Sequence, residues 1–286
     1  MSEHSEHASG TLYLIATPIG NLGDISIRAV QTLRDVDFIA AEDTRVSLKL
    51  LAHLEIKKQL ISYYEYNRRE SGEKIKQRIL SGESCALITD AGTPGISDPG
   101  EDLVQICAES EIKIVTIPGP CAAIAALAIS GLPAGRFTFE GFLSTARKSR
   151  FEHLNELKTE KRTMIFYEAP HKLTRTLKDM LDIFGDRKIT LARELTKLYE
   201  ETLRFTLSQA VAHFNEQAPR GEFVLVIEGF HDSPDLEYDI DIAVEIAIGY
   251  IKSGMSVKDS VKRAADENSI SKNALYSAVL RATEEQ

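Results

Sequence analysis

Ala86-Leu87-Ile88-Thr89-Asp90-Ala91-Gly92-Thr93-Pro94-Gly95-Ile96-Ser97-Asp98-Pro99-Gly100 places a short apolar run directly before a loop of small, turn-forming residues. The stretch that follows, Glu101 to Glu109, carries a helical pattern, and Ile112-Lys113-Ile114-Val115-Thr116-Ile117 reads as another strand. Apolar strands bounded by Gly or Pro and spaced by helices predict a parallel sheet covered on both faces.

Upstream, Leu12-Tyr13-Leu14-Ile15-Ala16 and Asp37-Phe38-Ile39-Ala40-Ala41 are strand-like, with the amphipathic stretch Ile25 to Leu33 between them. Residues 11–133 are therefore expected to form an open α/β domain. Gly131 to Gly141, with Phe137 and Phe139, reads as the crossing into a second α/β domain over 134–230. Its strand candidates are Thr163 to Tyr167, Ile189 to Ala192, Thr202 to Phe205 and Glu222 to Glu228. Helical patterns fall at Phe151 to Leu157, Leu173 to Ile183 and Ser208 to Asn215. Two strands flank Glu200-Glu201 with no helix between them, so this sheet is expected to be mixed. An acidic linker is expected over 231–240, a small three-helix unit resembling a helix-turn-helix over 241–286, and a disordered tail over 1–10.

Composition bounds the rest. In 286 residues, 43% are apolar and 27% charged, enough for a core without staples. The net charge of −9 argues against a histone-like, charge-driven nucleic-acid binder. Cys85, Cys107 and Cys121 form no C-x-x-C pair, which favours a reducing compartment, and the polar N-terminus is neither signal nor transit peptide. Ile114 to Gly135 lacks charge, but Pro118, Gly119, Pro120, Gly131 and Pro133 interrupt it. Its helix-compatible part spans roughly 18 Å, too short for a bilayer. A soluble, cytoplasmic protein is expected.

In open α/β sheets ligands bind beyond the carboxyl ends of the strands. Three such loops are rich in small residues: Thr17 to Asp24, Asp90 to Gly100, and Pro118-Gly119-Pro120-Cys121-Ala122-Ala123, the last opening a helix. Small residues let a ligand approach the backbone, and a helix start offers free amides. No G-x-G-x-x-G follows the first strand, no G-x-x-x-x-G-K-[ST] occurs, and no His/Cys cluster suggests a metal. A metal-free cleft for an adenine-bearing small molecule fits what remains.

The Gly20/Gly23-Asp24 loop, Gly92-Thr93-Pro94-Gly95 and Pro118-Gly119-Pro120 resemble the tetrapyrrole methylase family. Ala41-Glu42-Asp43-Thr44-Arg45, the Thr89 to Gly100 run, Phe166-Tyr167-Glu168-Ala169-Pro170-His171 and Arg193-Glu194-Leu195-Thr196-Lys197 resemble one branch of it. That branch methylates the ribose 2′-oxygen of a decoding-site cytidine in 16S rRNA of the small ribosomal subunit. The resemblance implies two α/β domains with an S-adenosylmethionine cleft between them, and a homodimer. The family's usual Gly-Asp-Pro is Gly92-Thr93-Pro94 here, so a loop carboxylate typical of porphyrinoid methylases is missing, as in the RNA branch.

Carried over residue by residue, the cofactor contacts implied are Pro18, Ile19, Gly92, Thr93, Ile96, Cys121, Ala122, Phe166, Tyr167, Leu195, Ala218 and Pro219. Transfer to a hydroxyl needs positioning and a group that handles its proton. The polar candidates are Glu42, Asp43, Arg45, Asp98, Glu168, His171, Arg193, Glu194 and Lys197. Each also has a structural reading: Glu42-Asp43-Thr44 as a helix cap, Arg193 and Glu194 as an ion pair, His171 as a capping residue.

From Gly141 to Arg193 twelve Lys or Arg face seven acids, a local basic excess suited to RNA. Tyr63, Tyr64 and Tyr66 beside Arg68 and Arg69 are placed to stack on unpaired bases or to cover a sheet edge. Rival readings are a tetrapyrrole or protein side-chain methylase of the same fold, and a ribosome assembly factor without catalysis.

Overall fold

The computed structural model describes residues 10–231, 235–268, 270 and 272–284. These divide into one unit that ends at Phe230 and a second that begins at His231.

The first unit holds two five-stranded sheets. One is built from β1 (Thr11–Ile15), β2 (Phe38–Ala41), β3 (Gln59–Ser62), β4 (Cys85–Ile88) and β5 (Lys113–Ile117), in the order β3-β2-β4-β1-β5. All its pairings are parallel, as the buried apolar runs predict. Alternation along these strands sends Leu12, Ala40 and Leu87 to a layer formed with α3 (Arg68–Leu80) and α4 (Glu101–Glu109). Ile15, Ile39 and Ile88 face the other way, toward α1 (Ile27–Asp35) and α2 (Thr44–His53).

The second sheet comprises β6 (Phe137–Phe142), β7 (Thr163–Glu168), β8 (Lys188–Arg193), β9 (Glu201–Thr206) and β10 (Phe223–Ile227), ordered β6-β7-β10-β8-β9. It is mixed as expected: β6 and β7 run parallel, and the remaining pairs are antiparallel. One face packs Met164, Phe166 and Leu225 against α6 (Arg147–Glu156), α7 (Pro170–Phe184) and α8 (Leu207–Glu216). The other packs Ile165, Val224 and Val226 against Ala123, Ala126 and Leu127 of α5 (Ala122–Ser130). That helix follows the last strand of the first sheet and seals against the second, which accounts for its lack of charge. Among the described residues no helix is long and apolar enough to cross a membrane.

Three expectations about organisation meet different structure. Of the stretch taken for a crossing, the part from Phe137 on forms edge strand β6, with a register shift between Phe139 and Gly141. The tail reading for 1–9 lies outside the described residues, whereas Gly10 is docked: its amide donates to the Ile79 carbonyl at 2.9 Å. Within the second unit, α9 (Asp235–Lys252) begins inside the stretch read as a linker. Acid-rich sequence suits the positive end of a helix as well as it suits a linker. With α10 (Val257–Glu267) and α11 (Lys272–Glu284) it encloses a core of Ala243, Ala247, Val261, Ala264, Leu275 and Val279.

Candidate active site

The three small-residue loops are stitched together at the carboxyl end of the first sheet. Thr17 and Gly92 exchange backbone hydrogen bonds of 2.8 and 3.1 Å, and Thr17 Oγ1 donates to the Thr89 carbonyl at 3.1 Å. Thr93 Oγ1 donates to the Pro120 carbonyl at 3.0 Å. Gly92 holds a φ of 85°, a conformation that favours glycine. Helix α5 opens at Cys121 without a side-chain cap. Its Ala123 amide donates instead to Tyr167 Oη at 3.1 Å.

These loops and the second sheet enclose a cavity of about 410 Å3. From the first half it is lined by Ile19, Gly92, Thr93, Ile96, Cys121 and Ala122, all expected cofactor contacts, together with Asp98. The second half contributes the expected Tyr167, Glu168, Glu194, Leu195 and Lys197. It also contributes Phe142, Glu222 and Val224, which the sequence reading did not single out.

Other expected residues stand apart from that lining. Phe166 is fully buried on the opposite face of β7, because neighbours on a strand point to opposite sides and Tyr167 takes the cavity side. Pro18 does not reach the cavity. Neither do Ala218 and Pro219: β10 runs antiparallel to β7 and β8, so Phe223 sits beside Glu168 and Arg193, and Glu222 to Val224 approach instead.

Among the polar candidates, Asp43 caps α2, accepting from the Arg45 amide at 2.8 Å, and its carboxylate pairs with the Arg45 guanidinium at 2.5 Å. Arg193 pairs with Glu201 across β8 and β9 at 3.2 Å. His171 is exposed in the first turn of α7 and outside the lining. Glu168 lines the cavity but is committed elsewhere. It accepts from Thr176 Oγ1 at 2.5 Å and from the Ala169 amide at 2.8 Å, fixing the start of α7.

Two carboxylate groups remain. Glu194 is held by the Glu222 amide at 2.9 Å and by Lys197 Nζ at 2.9 Å, and the same ammonium reaches Glu222 at 2.8 Å. The amide and ammonium donors keep Glu194 below its ordinary range, although partial burial opposes them. Asp98 behaves oppositely: burial, with help from the nearby Glu42 charge, pushes its carboxyl up to about 7. Glu42 is itself raised by burial and accepts from the Asp90 amide at 3.3 Å, outside the cavity lining. The site thus joins an apolar wall to a few convergent polar groups, the usual character of a small-molecule pocket. Among the described residues no group of three or more His, Cys, Asp or Glu stands placed to hold a metal ion.

Residues 11–211 match the Tetrapyrrole (Corrin/Porphyrin) Methylases. Ribosomal RNA small subunit methyltransferase I of Synechocystis is 46% identical over 93% of this chain and 96% of its own length. The proteins of that name from Bacillus subtilis and Escherichia coli O157:H7 are 43% and 40% identical, each covering at least 97% of both chains. Among solved structures, diphthine synthase superposes with a TM-score of 0.62 at 13% identity, over 77% of this chain and 90% of its own. Cobalt precorrin-4 methyltransferase gives 0.56 at 19%, over 76% and 94%.

The methyl donor is S-adenosylmethionine. The residues present fit it. Gly92 keeps the loop floor free of a Cβ, Ile19, Cys121, Ala122 and Leu195 form apolar walls, and the carboxylates of Asp98, Glu194 and Glu222 suit a cationic ligand. The chain belongs to the tetrapyrrole methylase family, in the branch of the ribosomal RNA small subunit methyltransferases I.

Proposed function

We propose that the protein transfers a methyl group to the ribose 2′-hydroxyl of a decoding-site cytidine in 16S rRNA of the small ribosomal subunit. The observation that carries this reading is the position of Asp98, a cavity-lining carboxyl raised to about 7, in a chain whose near-full-length relatives are named for small-subunit rRNA methylation. Bound S-adenosylmethionine supplies an activated methyl whose departure leaves a neutral thioether.

The chain's own residues do the rest. Asp98 accepts the hydroxyl proton as the oxygen bonds to carbon, and a base poised near neutral pH is well matched to that task. Gly92, Cys121, Ala122 and Leu195 hold the donor, while Lys197 keeps Glu194 and Glu222 in fixed positions around the cavity. The homodimer implied by the family resemblance and the cytoplasmic location expected from composition belong to the same reading, and sedimentation velocity tests the first.

The test uses purified protein, labelled S-adenosylmethionine and small subunits from cells lacking this enzyme, followed by nucleoside digestion and mass spectrometry. A single new 2′-O-methylcytidine is expected. Methyl on a base or on another nucleotide overturns the proposed target. Tight donor binding with no transfer moves the reading to a different acceptor.

A further inference from the structure

A second cavity, of about 310 Å3, meets the first at Ser97 and Asp98, the two residues that line both. Its wall is chemically mixed. Tyr63 lines it from beneath, its hydroxyl enclosed beside the Leu103 backbone. Arg68 reaches into the same lining while paired with Asp102 at 2.8 Å, with both side chains about half exposed. Glu65 adds a further acceptor, and helix α4 opens at Gly100 with no side-chain cap.

That balance selects a ligand class. Carboxylates outnumber the single guanidinium, so a phosphate or other anion would be repelled. A neutral, flat group with both ring acceptors and an amino donor satisfies the wall. Its acceptors take hydrogen bonds from Arg68, and its amine gives them to Glu65 or Asp102. The rim adds stacking surface. Tyr64 and Tyr66 form an edge-to-face pair 6.3 Å apart, with Tyr66 91% exposed immediately after Glu65. Asn67 holds this loop rigid, accepting from the Tyr64 amide at 2.8 Å and donating to the Ser62 carbonyl at 3.0 Å.

We propose that this second cavity receives the base of the target nucleotide, an amino-bearing pyrimidine turned out of its stack, with Arg68 and Glu65 reading its edge. The inference rests on the 2′-O-methylation reading above. A base in one cavity and the methyl donor in the other place the intervening ribose at Asp98, the group common to both. Tyr64 and Tyr66 stack on the nucleotides that flank the extruded one.

Arg68→Gln and Glu65→Gln, both on solvent-accessible side chains, are assayed beside wild type on unmodified small subunits bearing either cytidine or uridine at the target. The readouts are kcat/KM, the cytidine-over-uridine ratio, and donor affinity by calorimetry. Each variant is expected to lose about 10- to 100-fold in kcat/KM on cytidine, with a matching fall in the ratio, while donor affinity stays within about twofold. Wild type active on cytidine with both variants indistinguishable from it overturns the base-pocket assignment alone. Wild type forming no 2′-O-methylcytidine overturns the functional reading and this assignment with it.

Discussion

The Ala123 amide donates to Tyr167 Oη at 3.1 Å, joining the first turn of the helix after the first sheet to a strand of the second. This bond spans the cleft, and it satisfies an amide that no capping side chain serves. Burial pushes the Tyr167 phenol up to about 12, so it stays neutral across the working pH range. Tyr167→Phe leaves the amide without its partner. A loss of about 1 kcal/mol in urea unfolding and a donor affinity weaker by about fivefold are expected. Unchanged calorimetric affinity would show that the bond serves the fold alone.

Asp98 connects activity to pH. Its carboxyl must be ionised to accept a proton, so kcat is expected to rise with pH through about 7, and Asp98→Asn to remove that limb and most of the rate. Folding raises this pKa from 3.8 to about 7, so the native state binds more protons than the unfolded chain in that window. Stability contributed at low pH is therefore lost as pH rises through it. Asp98→Asn is expected to stabilise the protein above pH 7 by roughly 1 to 2 kcal/mol, discounted for partial exposure. A flat pH–rate profile would remove Asp98 from the role of base.

Gly221 sets the opposite wall. Its φ is 79°, and a Cβ there would lie 2.5 Å from Glu194 Cγ. Glu194 is itself held at a positive φ of 52° by the Glu222 amide and Lys197. Gly221→Ala must therefore displace the Glu194 side chain and adopt an unfavourable backbone. A loss of about 1 to 3 kcal/mol is expected, with a several-fold fall in donor affinity. Thermal melts with and without S-adenosylmethionine separate the two effects.

Much of this site was legible because buried parallel strands leave continuous apolar runs, and the loops after them carry small residues whose order survives folding unchanged. The loops that hold Ile19, Gly92, Thr93, Cys121 and Ala122 could be placed that way, and the family resemblance named those residues as donor contacts. The edge strand Gln59–Ser62 could not, being short, partly exposed and begun by a polar residue. Nor could a dipeptide such as Phe166-Tyr167 reveal which ring faces the ligand, since strand phase is fixed by packing. Glu222 to Val224 were missed because only the antiparallel pairing of β10 with β7 and β8 brings them to the cavity.

Charge counting overstates the exposed part of the basic band for a related reason: composition does not tell a solvated guanidinium from one enclosed by its own fold. Arg150 is 2% exposed, bridges to Asp179 at 2.7 Å and donates to the Ser144 and Thr145 carbonyls at 3.1 Å. Arg187 is likewise buried and bonded to the Lys158 and Phe184 carbonyls. Arg147 and Lys148 remain exposed, Lys148 at a long 3.9 Å from Glu152. Arg150→Ala is therefore expected to destabilise the protein by about 3 to 5 kcal/mol, because it leaves Asp179 and two carbonyls unpaired. Arg147→Ala and Lys148→Ala are expected to leave the melting temperature within error. Each should reduce the salt dependence of subunit binding by about one unit in log–log slope, the signature of a lost phosphate contact. An unchanged slope in both would move the RNA-facing surface away from the start of α6.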